Sequence, residues 1–180
     1  LYAGVRPERV THLINLEGTG LWRTSPDEAP EHYAKWLRQM KKTLDFRTYP
    51  SRAALAARLR DDNPRLAAER ADFLAAHFGV LNEEGGISLA LDPAHQLVNP
   101  VLYRIEEAMA CWRRVTAPVL WVTAGDSHVL RKFFAYDSDE HRSRIAAFPN
   151  IREVRLHDSG HNMHHDQPAM IARLIEEFIS

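Results

Sequence analysis

The sequence lacks the features that mark several large classes of protein. Its single cysteine, Cys111, excludes an intramolecular disulfide and a site built from several thiolates. Its 23 basic and 24 acidic side chains nearly cancel, so the charge does not favour nucleic acid or an anionic membrane as partner. No apolar run approaches the roughly 18 residues of a membrane-spanning helix. We therefore expect a cytoplasmic protein of a reducing compartment, with neither nucleic acid nor membrane as partner.

The composition is that of a globular domain. Of the 180 residues, 45% are hydrophobic and 26% are charged, which is ordinary for a chain that buries a core. The first residue is Leu1, and the opening stretch "LYAGVRPERV" resembles the second half of a helix. We expect a chain that lacks its beginning.

Three short apolar stretches have the pattern of β-strands. Residues 10–16 are aliphatic and β-branched and are followed by two glycines. Residues 118–125 are almost continuously apolar, as in a strand buried on both faces. Residues 151–156 alternate between apolar and polar side chains. A strand is therefore predicted in each stretch.

Most of the remaining segments have helical patterns, but the stretch "EEGGISLALDPAHQLVNP" is typical of a loop with a possible short strand over residues 87–91. The longest block begins at Ser25, a possible N-cap before Pro26, and extends to about Arg114. Gly79 lies where a helix in this block should end, and the last helix begins near Pro168. This order predicts an α/β fold whose parallel sheet is covered by helices and interrupted by a helical insertion. We assign residues 1–20 and 115–180 to the core and residues 21–114 to the insertion.

The loops after the three predicted strands meet at one edge of such a sheet, where ligands bind. They are "EGTG", "AGDSH" and "HDSGHNMHH". In these regions the sequence resembles the C-terminal part of the α/β-hydrolase family, with an esterase-like character. "PVLWVTAG" resembles its seventh strand, and "SGHNMHHDQP" resembles its histidine loop before the last helix. "LYAGVRPERVTHLINLEG" looks like the helix behind the nucleophile, followed by the sixth strand.

The resemblance implies a partial α/β-hydrolase fold, with a short parallel sheet of the last three strands, flanking helices and a helical cap. The nucleophile-elbow motif Gly-x-Ser-x-Gly does not occur in the sequence. By the resemblance, Leu1 lies about ten residues after that motif, and the oxyanion-hole amides are missing with it. The nucleophile is therefore expected outside this chain.

The resemblance also nominates site residues. His161, which follows Gly160, occupies the position of the catalytic base. Two acids compete for the role of orienting this base: Glu17 after the sixth strand and Asp126 after the seventh. We favour Glu17 narrowly, because Asp126 falls two residues before the usual position of the acid. Trp22 is the aromatic residue with the best claim to contact substrate.

Other chemistry is less favoured. A hydroxyl next to a histidine in sequence rarely points at it, so Ser127 and Ser159 are poor candidates for a substitute nucleophile. The histidines at positions 157, 161, 164 and 165 could suggest a metal site, but Gly160 and Pro168 interrupt the helix that would align them. We expect no metal and no cofactor.

The predicted function is the hydrolysis of a small-molecule carboxylic ester, with a serine nucleophile supplied from elsewhere. A dehalogenase-type hydrolase is an alternative, since an aspartate nucleophile would change the reaction. A second alternative is a non-catalytic or truncated fragment that dimerises or complements a missing N-terminal half. An unpaired edge of the sixth strand would favour such pairing, so we expect a homo-oligomer or a complex with that half.

Overall fold

The computed structural model describes residues 1–133 and 135–180, which form two compact units. The first unit comprises Leu1–Thr24 and Tyr103–Ser180, and the second comprises Ser25–Leu102. The strands are β1 (Leu13–Leu16), β2 (Gly79–Leu81), β3 (Ile87–Leu89), β4 (Val119–Ala124) and β5 (Ile151–Leu156). The helices are α1 (Tyr2–Val5), α2 (Ala29–Met40), α3 (Arg52–Asp62), α4 (Ala68–Phe78), α5 (Ile105–Trp112), α6 (His128–Phe133), α7 (Asp139–Ile145), α8 (Met163–Asp166) and α9 (Pro168–Ile179).

The first unit is built on a parallel sheet of three strands in the order β1-β4-β5. Leu13 pairs with Val119, which in turn pairs with Ile151, so the three strands run in step and end at one edge. Every residue of the central strand β4 is buried, as its continuous apolar sequence predicts. The predicted parallel sheet with flanking helices is confirmed.

Side chains of β4 alternate between two clusters, one on each face of the sheet. Val119 and Trp121 pack with Ile105, Trp112 and Phe148 on one face. The side chains on the other face belong to a cluster of Leu120, Val122, Ala124, Leu156, Met163 and Ile171. Burial on both faces makes β4 the centre of the hydrophobic core.

Helix α5 belongs to the first unit, although our sequence analysis assigns it to the insertion. Its apolar residues Ile105, Ala108, Met109 and Trp112 are buried in the cluster that covers one face of β4. The boundary between the units therefore follows Leu102 rather than residue 114. A helical period alone could not reveal which apolar surface the helix covers.

The second unit contains three helices and a small hairpin. Helices α3 and α4 enclose Leu55, Ala71 and Ala75, and Ile87 of β3 completes this cluster. Helix α4 ends at Phe78, and Gly79 begins β2, a three-residue strand too short for a recognisable period. Ser25 caps a single 3₁₀ turn, Pro26–Glu28, directly before α2. No helix in the described part of the chain has the length and apolarity to cross a membrane.

Candidate active site

Three loops at the carboxyl edge of the sheet place Glu17, Ser127 and His161 together. Glu17 directly follows β1 and has a positive φ of 56°, which turns the chain sharply at the end of the strand. Ser127 lies between β4 and α6, and His161 lies between β5 and α8. Because parallel strands end at the same edge, residues distant in sequence meet there.

The central contact of the site joins His161 to Glu17. The imidazole Nδ1 lies 2.8 Å from Glu17 Oε2. The Glu17 side chain is only 1% exposed, whereas that of His161 is 40% exposed. A carboxylate oxygen accepts from an imidazole N–H, so this contact assigns a proton to Nδ1, and in the neutral ring Nε2 is then an acceptor. The arrangement joins a shielded carboxylate to an accessible imidazole.

The Glu17 carboxylate has two further hydrogen-bond donors. The backbone N–H of Ala124 donates to Oε1 at 2.9 Å, and the Ser127 hydroxyl donates to Oε2 at 2.7 Å. Burial of a carboxylate is costly unless hydrogen bonds compensate for the lost water. These donors satisfy both oxygens and fix the carboxylate plane.

Arg144 anchors the loop that follows Glu17. Its guanidinium, 2% exposed, donates to the carbonyl oxygens of Thr19 at 2.6 Å and Leu21 at 2.9 Å. The same guanidinium pairs with Glu140 at 2.8 Å. Burial alone would raise the pKa of Glu140, but hydrogen bonds from Arg144 and Arg23 outweigh it and lower the pKa. Glu140 is therefore a firm counter-ion to this buried arginine.

The histidine loop is tied to the helices that follow it. Asp166 Oδ2 accepts a hydrogen bond from the Gly160 N–H at 2.8 Å. The Gln167 side chain donates to the carbonyls of His157 at 2.8 Å and Asp158 at 3.1 Å. These contacts hold the backbone that leads into His161, so the end of α8 and the residue before α9 position this loop.

A cavity of about 470 Å³ opens beside the pair. Glu17 and His161 line one part of it, and the side chains of Tyr103, Trp112 and Leu130 form a largely apolar wall. Burial raises the pKa of the Tyr103 phenol, which stays neutral around pH 7. The cavity can hold an uncharged apolar group next to the imidazole.

The remaining predicted site residues lie elsewhere. Asp126 is exposed, with its backbone N–H donating to the Ser159 carbonyl at 3.0 Å. Trp22 is 54% exposed, and its indole N–H donates to the Lys132 carbonyl at 3.2 Å. Glu17 is thus the carboxylate that the structure pairs with His161, and the indole N–H of Trp22 bonds to the last turn of α6.

The other histidines of these loops differ in their exposure, and Ser159 has a structural hydrogen bond. His157 and His164 are exposed, and burial lowers the pKa of His165. Within residues 1–133 and 135–180, no group of three or more His, Cys, Asp or Glu side chains could hold a metal ion. Ser159 is fully buried and its hydroxyl donates to the Leu156 carbonyl at 2.9 Å, so it presents no free nucleophile.

Known proteins resemble the chain in structure only. No protein-family model matches it, and no curated protein does so either. A thioesterase domain from the curacin biosynthetic pathway is 22% identical with a TM-score of 0.77, over 97% of this chain and 60% of its own. A hypothetical protein from Pseudomonas aeruginosa is 22% identical with a TM-score of 0.80, over 99% and 62%. An E-2-(acetamidomethylene)succinate hydrolase is 18% identical with a TM-score of 0.70, over 98% and 60%.

These similarities establish the fold. The chain has an α/β-hydrolase-like fold with a short parallel sheet, as the sequence resemblance implies. It spans about three fifths of the length of the solved structures that it matches. The sequence does not predict the hydrogen bond from the Ser127 hydroxyl to Glu17, because Ser127 is considered there only as a nucleophile.

Proposed function

We propose that this chain supplies the base and the orienting acid of a carboxylic-ester hydrolase. The observation that carries the proposal is the 2.8 Å contact between His161 Nδ1 and the buried Oε2 of Glu17. It leaves Nε2 of an accessible imidazole as a proton acceptor, which is the requirement for a general base. The fold supports the proposal, because the matched structures include a thioesterase domain and a hydrolase.

In the proposed reaction, a nucleophilic hydroxyl from outside these 180 residues attacks the ester carbonyl. His161 Nε2 takes the hydroxyl proton and returns it to the departing alcohol. The imidazole then takes a proton from water, whose oxygen attacks the acyl carbon, and it returns that proton to the nucleophile's oxygen as the acyl–oxygen bond breaks and the carboxylic acid is released. Glu17 remains ionised throughout and stabilises the imidazolium that forms in each half.

The acid in this proposal is Glu17 and not Asp126. Glu17 is shielded from water and already accepts a hydrogen bond from His161, whereas Asp126 is exposed after β4. A charge in a shielded site acts on its neighbour more strongly than a charge in water does. Asp126 is therefore assigned no role in the proposed reaction.

The cavity supports a neutral, apolar acyl or aromatic group as the recognised part of the substrate. Its wall next to His161 includes Leu21, Tyr103, Trp112 and Leu130, with no charged side chain other than Glu17 and His161 among its described lining residues. No lysine or arginine is among the described lining residues to bind an anionic acyl group in place of water. The substrate contact of Trp22, the cap role of the insertion and the cytoplasmic location stay predictions.

Hydrolysis of p-nitrophenyl butyrate by a complex of this chain with the polypeptide that carries the nucleophile tests the proposal. His161→Ala is expected to abolish turnover, because the proton acceptor is lost. His164→Ala is the matched control, since it removes an exposed histidine of the same loop, and it should retain turnover. Equal loss or equal retention in the two variants would contradict the base role of His161.

A second candidate function is that of a fragment that binds the polypeptide carrying the nucleophile. Strand β1 pairs with β4 on one edge, and no strand of the described chain pairs with its other edge. Apolar Leu1, Tyr2 and Val5 are each more than half exposed, and a cavity of about 320 Å³ borders Leu13 and Ile14. An unpaired edge of this kind tends to bind another strand.

Light scattering tests this candidate. A larger species, whether a homodimer or a complex with a second polypeptide, is expected. A stable monodisperse monomer, both alone and after mixing with the polypeptide that carries the nucleophile, would contradict the pairing. The dehalogenase alternative stays a prediction, because the identity of the nucleophile decides it.

A further inference from the structure

The site contains a buried hydroxyl that the proposed reaction does not use. Ser127 is 2% exposed, and its Oγ donates a hydrogen bond to Glu17 Oε2 at 2.7 Å. Glu17 Oε2 also lies 2.8 Å from His161 Nδ1. The hydroxyl and the imidazole therefore share one carboxylate oxygen.

The backbone fixes the direction of the Ser127 hydroxyl. The N–H of Leu130 donates to Ser127 Oγ at 3.0 Å, which makes Ser127 the N-cap of α6. A hydroxyl has one proton to donate, and the Leu130 N–H occupies one of its two acceptor sites. The proton is thus directed at Glu17, and α6 sets the position from which it acts.

The carboxylate needs such a partner because its other contact on Oε2 can move. Oε1 is held by a backbone N–H, that of Ala124. Oε2 faces an imidazole that is 40% exposed, and an exposed ring changes rotamer readily. If the imidazole moved away, a buried carboxylate oxygen would lose its hydrogen bond unless Ser127 remained.

We propose that Ser127 is a positioning residue that holds the Glu17 carboxylate in the orientation that receives His161 Nδ1–H. The inference rests on the proposed function and deepens it, since it concerns how the acid of the same site is kept in place. Ser127 acts through Glu17 and does not touch substrate. Its burial and its hydrogen bond to the carboxylate also explain why it is no nucleophile.

The experiment measures how fast the His161 Nδ1 proton exchanges with water, by ¹H,¹⁵N NMR on the 180-residue chain. In Ser127→Ala the carboxylate loses one donor and gains freedom, and exchange is expected to be about tenfold faster or more. Ser127→Cys keeps a side chain of similar volume but offers a weaker donor. In this variant the His161 Nδ1 proton should therefore exchange at a rate between those of the unsubstituted chain and Ser127→Ala.

Two control variants separate positioning from simple loosening of the fold. Ser138→Ala removes the N-cap of α7, where Ser138 Oγ accepts from the His141 N–H at 3.3 Å. Ser159→Ala removes a buried hydroxyl that donates to the Leu156 carbonyl at 2.9 Å. Each of these hydroxyls bonds to a group other than Glu17. In both control variants the His161 Nδ1 proton should therefore exchange at nearly the same rate as in the unsubstituted chain.

The outcomes distinguish the inference from the function on which it rests. Unchanged exchange in Ser127→Ala, or an equal rise in Ser138→Ala or Ser159→Ala, would overturn the positioning role alone. Absence of the Nδ1 proton from neutral His161 in the unsubstituted chain would overturn the His161–Glu17 pair, and the positioning role with it. Faster exchange confined to the Ser127 variants supports the inference.

Discussion

His161 Nδ1 and Glu17 Oε2 lie 2.8 Å apart, although 144 positions separate the two residues in the sequence. The parallel register of β1, β4 and β5 produces this approach, because all three strands end at the same edge of the sheet. The sheet thus brings two distant loop residues into one hydrogen-bonded pair. The consequences can be tested by substitution.

In the complex with the polypeptide that carries the nucleophile, Glu17→Gln is expected to lower ester turnover by about 10⁴-fold, the scale seen when a triad carboxylate becomes an amide. The amide cannot stabilise the imidazolium, and its NH₂ group can present a donor where Nδ1–H needs an acceptor. Asp126→Asn is the matched control, and it should leave kcat nearly unchanged because Asp126 is exposed. A larger loss in the control would move the orienting role to Asp126.

Arg144→Met is expected to lower the free energy of unfolding by about 1–3 kcal/mol, the cost of leaving buried hydrogen-bond acceptors unpaired. The substitution leaves Glu140 without its buried partner and removes the donor to the Thr19 and Leu21 carbonyls. Urea denaturation measures the change. Arg142→Met, on the same helix but exposed, should change the stability little, and an equal effect would contradict the anchoring role of Arg144.

Gly4→Ala is expected to destabilise the first unit by about 1–3 kcal/mol or more, because overpacking forces backbone shifts. A Cβ at Gly4 would lie 1.9 Å from the Cys111 carbonyl oxygen, and neither backbone can yield cheaply. Gly85→Ala is the comparison, since a Cβ there meets no atom within 4 Å and suffers only from a φ of +80°. A smaller loss of thermal stability in Gly4→Ala than in Gly85→Ala would contradict the close packing of α1 on α5.

The free energy of unfolding is expected to fall as the pH drops below about 6.5, the ordinary pKa of histidine. Burial, which outweighs the attraction of Glu153, lowers the pKa of His141 in the folded state. In the window between these two pKa values the unfolded chain binds more protons, so acid favours unfolding. His141→Asn should weaken the pH dependence of the free energy of unfolding in this window, as measured by urea denaturation. His164→Asn, at an exposed histidine, should leave that pH dependence unchanged.

The sequence predicts the sheet well and the site only in part. Continuous burial of β4 is visible in its apolar run, and Gly160 singles out His161 in the loop before the last helix. The choice between Glu17 and Asp126 stays open in the sequence, because both follow strands that end at the same edge. Only the positive φ of Glu17 and the donors at Ala124 and Ser127 separate them.

Aromatic residues mark a limit of sequence patterns. The insertion is rich in aromatic residues, yet Tyr33, Phe73 and Phe78 are 48%, 63% and 42% exposed. Its buried cluster consists mostly of aliphatic side chains, with Tyr49 as a buried aromatic member: Leu55, Ala56, Leu66, Ala71, Ala75 and Ile87. Burial depends on which helix faces come together, and a helical period does not identify the partner face.

The protonation site of neutral His161 tests the central claim most directly. Long-range ¹H,¹⁵N NMR of the imidazole at a pH where the ring is neutral distinguishes the two tautomers. The account predicts the Nδ1–H tautomer, with Nε2 unprotonated, in the unsubstituted chain and its loss in Glu17→Ala. A neutral imidazole protonated at Nε2 in the unsubstituted chain would contradict the role of His161 as a base oriented by Glu17.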